Sequence, residues 1–231
     1  MSRRRVLVTG TDTGVGKTVA SAAIVACWTG SGRAVTYVKP AQSGTDDGDD
    51  DAAYVAALTG VPTIVGTRLG EALAPAVAAR RAGVAVTRDD LLAPIADAPT
   101  DADVVVEGAG GLLVELGTDG TMVADLAAAA DLPIVVVARP GLGTLNHTLL
   151  TLAEADRRGL DVVGVVVSGY PAAPDLAMRT NLAELRRLTG GRLVGIVPDL
   201  GADPAAHPDT LAPALGWFAA ALGGTADPST W

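Results

Sequence analysis

Two lysines stand apart from the other basic residues of this chain. Of its 17 lysines and arginines, only Lys17 and Lys39 are lysine, and each comes soon after one of the first two strand-like apolar runs. A lysine ammonium is a compact point charge that fits between phosphate oxygens, whereas the guanidinium of arginine is a wide planar fork. Both lysines are therefore predicted to act at a phosphate site. The alternative is that these two lysines have no special function and remain by chance in a chain that otherwise uses arginine. This alternative has more weight for Lys39, which has no motif of its own.

The segment 10–18 has the composition of a phosphate-binding loop, or P-loop. It reads Gly-Thr-Asp-Thr-Gly-Val-Gly-Lys-Thr and joins the apolar run 6–9 to a helical pattern. A strand, a glycine-rich turn and a helix in this order are the context that such a loop needs. Its glycines let backbone N–H groups surround phosphate, Lys17 reaches the β and γ oxygens, and Thr18 offers a hydroxyl to Mg²⁺. The strict pattern has glycine where Thr11 stands, and here the glycine comes one position earlier.

Acidic residues follow two further strand-like runs. Glu107 ends the run Val-Val-Val-Glu, and the segment 46–51 reads Asp-Asp-Gly-Asp-Asp-Asp. Mg²⁺ bound to a nucleotide needs only one or two protein carboxylates, and Glu107 with one aspartate of the segment can supply them. Asp51 is favoured because it directly precedes a helical pattern, where an N-cap position fixes a carboxylate. For the aspartates of 46–51 the alternative interpretation is a solvated loop. For Glu107 it is an exposed acid at the end of a strand.

Glycine-rich segments mark two more candidate sites. The glycines of 108–111 follow Glu107 and let the backbone approach a ligand. Residues 141–147 read Gly-Leu-Gly-Thr-Leu-Asn-His and open a helix after the fourth apolar run. Because N–H groups at a helix start hold a carboxylate as readily as a phosphate, the second segment is a predicted anion site.

Continuous apolar runs alternate with helical patterns along the chain. Runs without polar alternation are typical of strands that are covered on both faces in a parallel sheet. The predicted fold is therefore doubly wound α/β, with a mostly parallel sheet and helices on both faces. The predicted strands are 6–9, 35–38, 104–107, 134–138, 162–167 and 193–197, and the predicted helices are 17–30, 51–58, 88–96, 122–130, 144–158, 175–188 and 210–221.

Length and composition restrict the class of protein. The 231 residues suit one large domain over the whole chain, with 223–231 predicted to be a frayed tail. The formal net charge of -9 and the scattered arginines disfavour a nucleic-acid partner. The lone Cys27 cannot form an internal disulfide, which fits a reducing cytoplasm. A signal-peptide core and an apolar run near the roughly 20 residues of a membrane span are both absent from the sequence, so no membrane partner is expected.

Four blocks of the chain together resemble the dethiobiotin synthetases, a family of ATP-dependent cyclo-ligases. They are 10–18, 39–44, 107–111 and 141–147, and their order and spacing agree with that family up to about Leu200. The lead-in Thr-Gly-Thr-Asp-Thr, joined to Lys-Pro and to Glu-Gly-Ala-Gly-Gly, is specific to this family among its P-loop relatives. The C-terminal segment is unmatched.

The resemblance implies a reaction and roles for individual residues. In that family 7,8-diaminopelargonic acid takes up CO₂ as a carbamate, ATP phosphorylates the carbamate, and the second amine closes a cyclic urea. Lys17 and Lys39 are implied as the catalytic residues, which neutralise the γ-phosphoryl group and the carbamate. The implied Mg²⁺ positions are Thr18, Asp51 and Glu107, and the implied nucleotide-binding residues also include Gly14, Val15, Gly16, Val19, Gly108, Ala109 and Gly110.

The same resemblance implies a homodimer with its substrate at the interface. Thr11 and Ser43 match positions near the carbamate and the diamine. In the family a helix start from the other subunit holds the substrate carboxylate, and the residues that match it are Gly143, Thr144, Leu145 and Asn146. A second subunit and a small-molecule substrate are therefore the expected partners.

The adenine pocket departs from the pattern of the family. Many members have an Asn-Asp pair after the fifth strand, whose amide reads adenine, but this chain has Ser168-Gly169. A hydroxyl cannot make the paired donor and acceptor contacts of an amide. We therefore predict a weakened preference for ATP, with Pro198, Asp199 and Leu200 as the other wall of the pocket.

Two other functions are compatible with a P-loop. A switch or partitioning ATPase shares the fold, but many such proteins have an extra lysine at the start of the P-loop, and residues 9–13 contain none. The acidic balance of the chain also disfavours DNA. The third possibility is another carboxylate-activating amide synthase of the same superfamily. Release of phosphate that depends on the diamine distinguishes the synthetase from both.

Overall fold

The chain folds around one parallel β-sheet. The computed structural model describes residues 3–201 and 209–231. Its strands are β1 (Arg5–Gly10), β2 (Val35–Ser43), β3 (Thr63–Leu69), β4 (Asp103–Gly111), β5 (Ile134–Ala138), β6 (Val162–Tyr170) and β7 (Leu193–Pro198). Neighbouring strands pair in parallel in the order β3-β2-β4-β1-β5-β6-β7.

Helices cover both faces of this sheet. They are α1 (Lys17–Gly30), α2 (Asp51–Thr59), α3 (Pro75–Ala82), α4 (Arg88–Ala96), α5 (Val123–Ala129), α6 (Thr144–Arg157) and α7 (Leu176–Leu188). Helices α1 and α2 share one core cluster with the C-terminal region, and α3 to α7 contribute to the cluster on the other face. None of the described helices has the length and the apolar composition that spanning a bilayer requires.

The apolar residues of the central strand divide between the two faces with the period of two that a strand imposes. In β1, Val6 and Val8 enter the core beneath α1, while Leu7 enters the core on the opposite face. All three side chains are buried. A strand that is covered on both faces is apolar at successive positions and lacks the alternation of apolar and polar residues. The predicted doubly wound α/β class is confirmed.

Strand β3 is absent from the predicted strands. It lies at the edge of the sheet, most of its residues are only partly buried, and Gly66 interrupts its apolar run. A Cβ atom at Gly66 would lie 2.3 Å from the carbonyl oxygen of Pro40 on β2. The glycine that obscures the pattern is therefore required by the close approach of the two strands.

The C-terminal region differs from the prediction in two ways. A helix over 210–221 is wrong, because this region forms 3-10 turns at Ala212–Trp217 and Ala220–Leu222. Pro and Gly within the first turn disfavour a continuous α-helix. The segment 223–231 is also packed rather than frayed: the N–H of Ala226 donates to the carbonyl oxygen of Phe218, and Trp231 lies against the core. The large apolar surface of the tryptophan holds this end on the domain.

Strands β2 and β4 continue past their predicted ends. Residues 39–43 belong to β2, and 108–111 belong to β4. The side chains that were expected on loops are therefore held by strand pairing. The carboxyl ends of parallel strands meet at one edge of the sheet, which is where open α/β sheets bind ligands.

Candidate active site

A cavity of about 1100 Å³ opens at the carboxyl edge of the sheet. Its walls come from the P-loop, the ends of β2 and β4, the start of α2 and the residues before α3. This volume accommodates a ligand of nucleotide size. The residues predicted from sequence that line it are Gly14, Gly16, Lys17, Thr18, Val19, Lys39, Ser43, Asp51, Glu107, Ala109 and Gly110.

The P-loop turns into α1 through a glycine in the left-handed conformation. Gly16 is the N-cap of α1 and has φ 88 and ψ 31, a region that residues with a Cβ rarely adopt. A Cβ atom there would also lie 2.6 Å from Oγ of Ser168. The Ser168 hydroxyl donates to the carbonyl oxygen of Gly16 at 3.2 Å, so β6 supports the loop. Within the loop, Nζ of Lys17 donates to the carbonyl oxygen of Asp12 at 3.1 Å.

Thr18 lies between two carboxylates. Its Oγ1 is 2.9 Å from Oδ1 of Asp51 and 3.0 Å from Oε1 of Glu107. A hydroxyl has one proton to donate, so only one of these contacts is its hydrogen bond at any moment. Thr18 lies in the first turn of α1, Asp51 begins α2 and Glu107 lies on β4. The fold thus brings together three oxygen-bearing side chains that are far apart in sequence.

Lys39 joins the same two carboxylates. Its Nζ donates to Oε1 of Glu107 at 2.9 Å and to the carbonyl oxygen of Gly108 at 3.0 Å, and lies 2.6 Å from Oδ2 of Asp51. The side chains of Lys39 and Glu107 are only 4% and 1% exposed, whereas Asp51 keeps 29%. Burial of an unpaired charge is strongly unfavourable. The ammonium is therefore held firmly at the wall of the cavity.

The two lysines have opposite pKa shifts. Burial is the largest influence on Lys17 and lowers its pKa, against the opposing charge of Glu107. Burial also acts to lower the pKa of Lys39, but the charges of Glu107 and Asp51 outweigh it and the pKa of Lys39 is raised. Lys39 is therefore an ammonium throughout the neutral range. The charge of Lys39 contributes to the lowered pKa of Lys17, as expected for two ammonium groups that line one cavity.

Thr18, Asp51 and Glu107 form a donor set suited to Mg²⁺. This ion prefers oxygen ligands, and at nucleotide sites it uses one or two carboxylates together with phosphate oxygens. Within 3–201 and 209–231, no three His, Cys, Asp or Glu side chains gather into a metal-binding group. A site with two carboxylates and a hydroxyl therefore fits an ion that a nucleotide helps to hold.

Known proteins are similar in sequence to this chain along nearly its whole length. A family model described as an AAA domain matches residues 4–202. The ATP-dependent dethiobiotin synthetase BioD of Saccharopolyspora erythraea is 48% identical over 222 residues, which cover 91% of this chain and 96% of that protein. The chain belongs to the dethiobiotin synthetase family. A second dethiobiotin synthetase, from Streptomyces avermitilis, is 46% identical over 230 residues and covers 97% of this chain and 96% of its own. The chain is accordingly an enzyme of the ligase class that uses ATP.

Solved structures with the same fold are much more distant in sequence. A ParA family ATPase from Chlorobium tepidum has a TM-score of 0.56 at 11% identity and covers 92% of this chain and 89% of its own. A plasmid partition protein from Borrelia burgdorferi, bound to AMPPNP, has a TM-score of 0.56 at 11% identity and covers 93% and 98%. These likenesses establish the P-loop NTPase-like fold of the chain.

The N-cap of α2 is Asp50, so the predicted cap at Asp51 is wrong by one residue. The Asp50 carboxylate accepts a hydrogen bond from the N–H of Ala53 at 2.9 Å, and that bond is the main reason why the pKa of Asp50 is lowered. Asp51 is the first helical residue. Because Asp50 satisfies the helix end, the carboxylate of Asp51 is left to meet Thr18 and Lys39.

Three predicted ligand-binding residues of the P-loop and β4 do not line the cavity. The N–H of Thr11 donates to the carbonyl oxygen of Val137 at 2.9 Å, which ties the start of the P-loop to β5. Val15 is buried in the core. Gly108 faces the site only through its carbonyl oxygen, which accepts from Lys39. Their contacts with a ligand stay predictions.

The predicted base pocket lies at the ends of β6 and β7, outside the cavity walls. Ser168 is buried, and its hydroxyl is bonded to Gly16. Pro198 and Leu200 are half-buried, while Gly169 and Asp199 are exposed. The structure gives Ser168 a role in supporting the P-loop that the sequence did not suggest.

The start of α6 also lies outside the cavity. Gly143 caps this helix with φ 88, and both Gly143 and Asn146 are exposed. Leu145 is half-buried and Thr144 is fully buried. The start of α6 is therefore exposed at Gly143 and Asn146, on a surface outside the cavity.

Two polar residues of the site were not identified from the sequence. Tyr37 and Gln42 are both buried on β2. The Tyr37 hydroxyl donates to Oε2 of Glu107 at 3.0 Å, and Oε1 of Gln42 accepts from the N–H of Asp51 at 3.1 Å. Burial first, and then the charges of Glu107 and Asp51, raise the pKa of Tyr37 well above its ordinary value. The available signal was the strand period of two, which puts Tyr37 on the same face as Lys39.

Cys27 takes no part in the site. It is a buried thiol on α1, and its Sγ lies 3.9 Å from the carbonyl oxygen of Leu222. Burial raises its pKa to about 11. The thiolate needed for nucleophilic chemistry is therefore scarce at neutral pH.

Proposed function

We propose that the chain makes dethiobiotin from 7,8-diaminopelargonic acid, CO₂ and ATP in the cytoplasm. The observation that carries this proposal is Lys39, a buried ammonium joined to both Asp51 and Glu107 at the wall of a cavity that begins at the P-loop. A second cation in the same cavity as Lys17 suits a substrate whose own anionic group must meet the γ-phosphate. The relatives named ATP-dependent dethiobiotin synthetase support the same reaction.

The proposed reaction has three steps. An amine nitrogen of the substrate bonds to the carbon of CO₂ and loses a proton, which gives a carbamate. A carbamate oxygen then attacks the γ-phosphorus of ATP, the bond between that phosphorus and the bridging oxygen breaks, and ADP leaves. Finally the second amine attacks the carbonyl carbon of this carbamic-phosphoric anhydride and loses a proton. The bond from that carbon to the phosphate oxygen breaks, phosphate leaves, and the cyclic urea is complete.

The residues of the cavity act through position and charge. Lys17 neutralises the γ-phosphoryl oxygens, and Lys39 holds the carbamate against them, because phosphoryl transfer depends mostly on alignment and electrostatic stabilisation. The N–H groups of 14–19 surround the triphosphate. Mg²⁺, held by Thr18, Asp51 and Glu107, supplies positive charge to the phosphate oxygens when it is bound. Ser43 lines the cavity beyond Lys39 and is proposed to contact the diamine.

The proposed enzyme is a homodimer. The start of α6, which we assign to the substrate carboxylate, does not line the cavity of its own protomer. Leu142, just before this helix, and Leu150, in its middle, are largely exposed at 78% and 62%. Apolar surface of this kind favours contact with a second chain. A neighbouring protomer that covers it would bring the start of α6 to the cavity of its partner.

A direct assay tests the proposed function. The protein is incubated with diaminopelargonate, bicarbonate, Mg²⁺ and ATP, and phosphate release is measured together with the formation of dethiobiotin. We expect phosphate release only when both the diamine and bicarbonate are present. Equal ATP hydrolysis without the diamine would instead favour a switch or partitioning ATPase, and release that depends on a different amine would favour a related amide synthase.

A further inference from the structure

Tyr37 touches the candidate magnesium site from within the core. Its side chain is 0% exposed, and its hydroxyl donates to Oε2 of Glu107 at 3.0 Å. The other oxygen of that carboxylate, Oε1, lies 3.0 Å from Oγ1 of Thr18 and 2.9 Å from Nζ of Lys39. The two oxygens of Glu107 therefore have separate partners, the core tyrosine for one and the cavity residues for the other.

Strand pairing creates this division. β2 and β4 pair in register with Tyr37 opposite Val105, and the period of two puts Glu107 on the same face as Val105. Tyr37 is thus a diagonal neighbour of Glu107, a distance that a long aromatic side chain spans. Lys39, two residues further along β2, shares this face and reaches the same carboxylate from the cavity side.

We propose that Tyr37 is a positioning residue of the magnesium and nucleotide site, because its hydroxyl fixes Oε2 of Glu107 and so leaves Oε1 for Thr18, Lys39 and the divalent cation. This inference rests on the proposed function. When a buried carboxylate oxygen loses its hydrogen-bond donor, either the carboxylate rotates to find another partner or the oxygen stays unsatisfied, which is strongly unfavourable. Loss of a hydrogen bond to a metal-ligating side chain typically lowers metal affinity or activity by about 10- to 100-fold.

The test is the Tyr37→Phe substitution, which removes one oxygen atom and keeps the ring. Binding of a non-hydrolysable ATP analogue is measured by calorimetry over a series of Mg²⁺ concentrations, and again in EDTA. We expect the Mg²⁺ concentration for half-saturation to rise about 10-fold, while nucleotide affinity in EDTA stays unchanged. The same substitution in a Glu107→Gln background should add little, because the carboxylate that it positions is already gone.

A matched control separates positioning from loss of stability. Thr189 is buried at the C-terminal end of α7, and its hydroxyl donates to the carbonyl oxygen of Leu185 at 2.7 Å. Thr189→Val therefore also removes a buried hydroxyl, and it should leave the Mg²⁺ dependence unchanged. An unaltered Mg²⁺ dependence in Tyr37→Phe, or an equal loss of affinity with and without Mg²⁺, overturns the inference. Wild-type protein without any Mg²⁺-dependent nucleotide binding would contradict the proposed function instead.

A measurement on the wild-type protein covers the case in which Tyr37→Phe does not fold. A buried, hydrogen-bonded tyrosine hydroxyl proton exchanges slowly and is observable by NMR in tyrosine-labelled protein. We expect the resonance of Tyr37 to shift when Mg²⁺ and the ATP analogue are added together, and to shift much less with the analogue alone. The absence of any Mg²⁺-dependent shift overturns the inference.

Discussion

At the scale of single residues, Lys39 is the group whose replacement best tests the proposed chemistry. Its Nζ is held by Glu107 and Asp51, and the P-loop does not depend on it. We predict that Lys39→Ala lowers kcat by about 10²- to 10³-fold, the usual effect of removing one electrostatic group from a transition state. Nucleotide binding should be largely retained. Steady-state phosphate release and calorimetry measure the two effects separately.

Arg68 offers a control for the loss of a positive charge near the cavity. Its NH1 pairs with Oδ2 of Asp50 at 3.0 Å, and its side chain is 49% exposed. Exposed ion pairs contribute about 0–1 kcal/mol, so Arg68→Ala should leave kcat within about 2-fold of the wild-type value. Wild-type turnover in Lys39→Ala would remove Lys39 from the mechanism.

The choice of nucleotide base is also decided by single residues. Ser168 is buried and bonded to the carbonyl oxygen of Gly16, so its hydroxyl is already engaged. A site that hydrogen-bonds a particular base discriminates by several orders of magnitude, and one that lacks such contacts does not. We predict kcat/KM values for ATP, CTP and GTP within about 10-fold of one another. Steady-state rates with the three nucleotides check this, and a large advantage for ATP would refute it.

At the scale of secondary-structure elements, the start of β4 is held by one buried carboxylate. Asp103 is 3% exposed, and it accepts hydrogen bonds from the N–H of Arg4 at 2.9 Å and from NH2 of Arg33 at 2.8 Å. These bonds fasten β4 to the chain segments that begin β1 and β2. We predict that Asp103→Asn lowers the free energy of unfolding by about 2 kcal/mol, as expected for hydrogen bonds to a charged group. Chemical denaturation at neutral pH measures it.

The stability difference between the wild-type protein and Asp103→Asn should depend on pH, and its direction follows from the pKa shift of Asp103. Burial acts to raise the pKa of Asp103, but the bonds from Arg33 and Arg4 outweigh it and the pKa is lowered. A lowered pKa in the folded state means that the stabilisation is fully present above the ordinary value, 3.8. It is lost as the pH falls through the folded-state pKa. The wild-type protein should therefore approach the stability of Asp103→Asn in acid, and a difference that is constant with pH would contradict this cause.

Most elements were predicted from periodicity because local sequence dominates them. Helix α1 has its predicted bounds, and α4 has them despite an internal proline, because its N-cap Thr87 forms a capping box with Asp90. Strand β3 was missed because its central residue, Gly66, interrupts the apolar pattern. A glycine is needed there because the backbone of β2 lies too close for a side chain. The predicted C-terminal helix is wrong because the spaced apolar residues of 210–221 belong to 3-10 turns that pack on the core.

At the scale of the whole molecule, activity is predicted to require two chains. Leu150 lies in the middle of α6 and is 62% exposed, on the helix whose start we assign to the substrate carboxylate. We predict that Leu150→Glu shifts the protein from dimer to monomer and lowers kcat/KM by at least about 10-fold, while nucleotide binding stays close to that of the wild type, because a buried charge at an interface is strongly unfavourable. Analytical ultracentrifugation and the phosphate-release assay are the measurements.

Leu188 provides a comparison on another helix. It lies at the last residue of α7 and is 36% exposed, the lowest value among the exposed large apolar residues of the described chain. Leu188→Glu should keep both the dimer and the activity. A wild-type protein that sediments as a monomer while fully active would rule out the proposed role of the second chain.

The sequence by itself determined the parallel α/β class, the P-loop and the acidic and basic residues of the site, because these depend on short-range patterns of residue type. It could not determine which oxygen of Glu107 meets which partner, or that Asp50 caps α2 so that Asp51 is left for Thr18 and Lys39. Those contacts join β2, β4, α1 and α2, and distances between such elements follow from strand order and register. Only the tertiary structure therefore decided that Tyr37, an unremarkable residue of an apolar strand, contacts the carboxylate at the centre of the site.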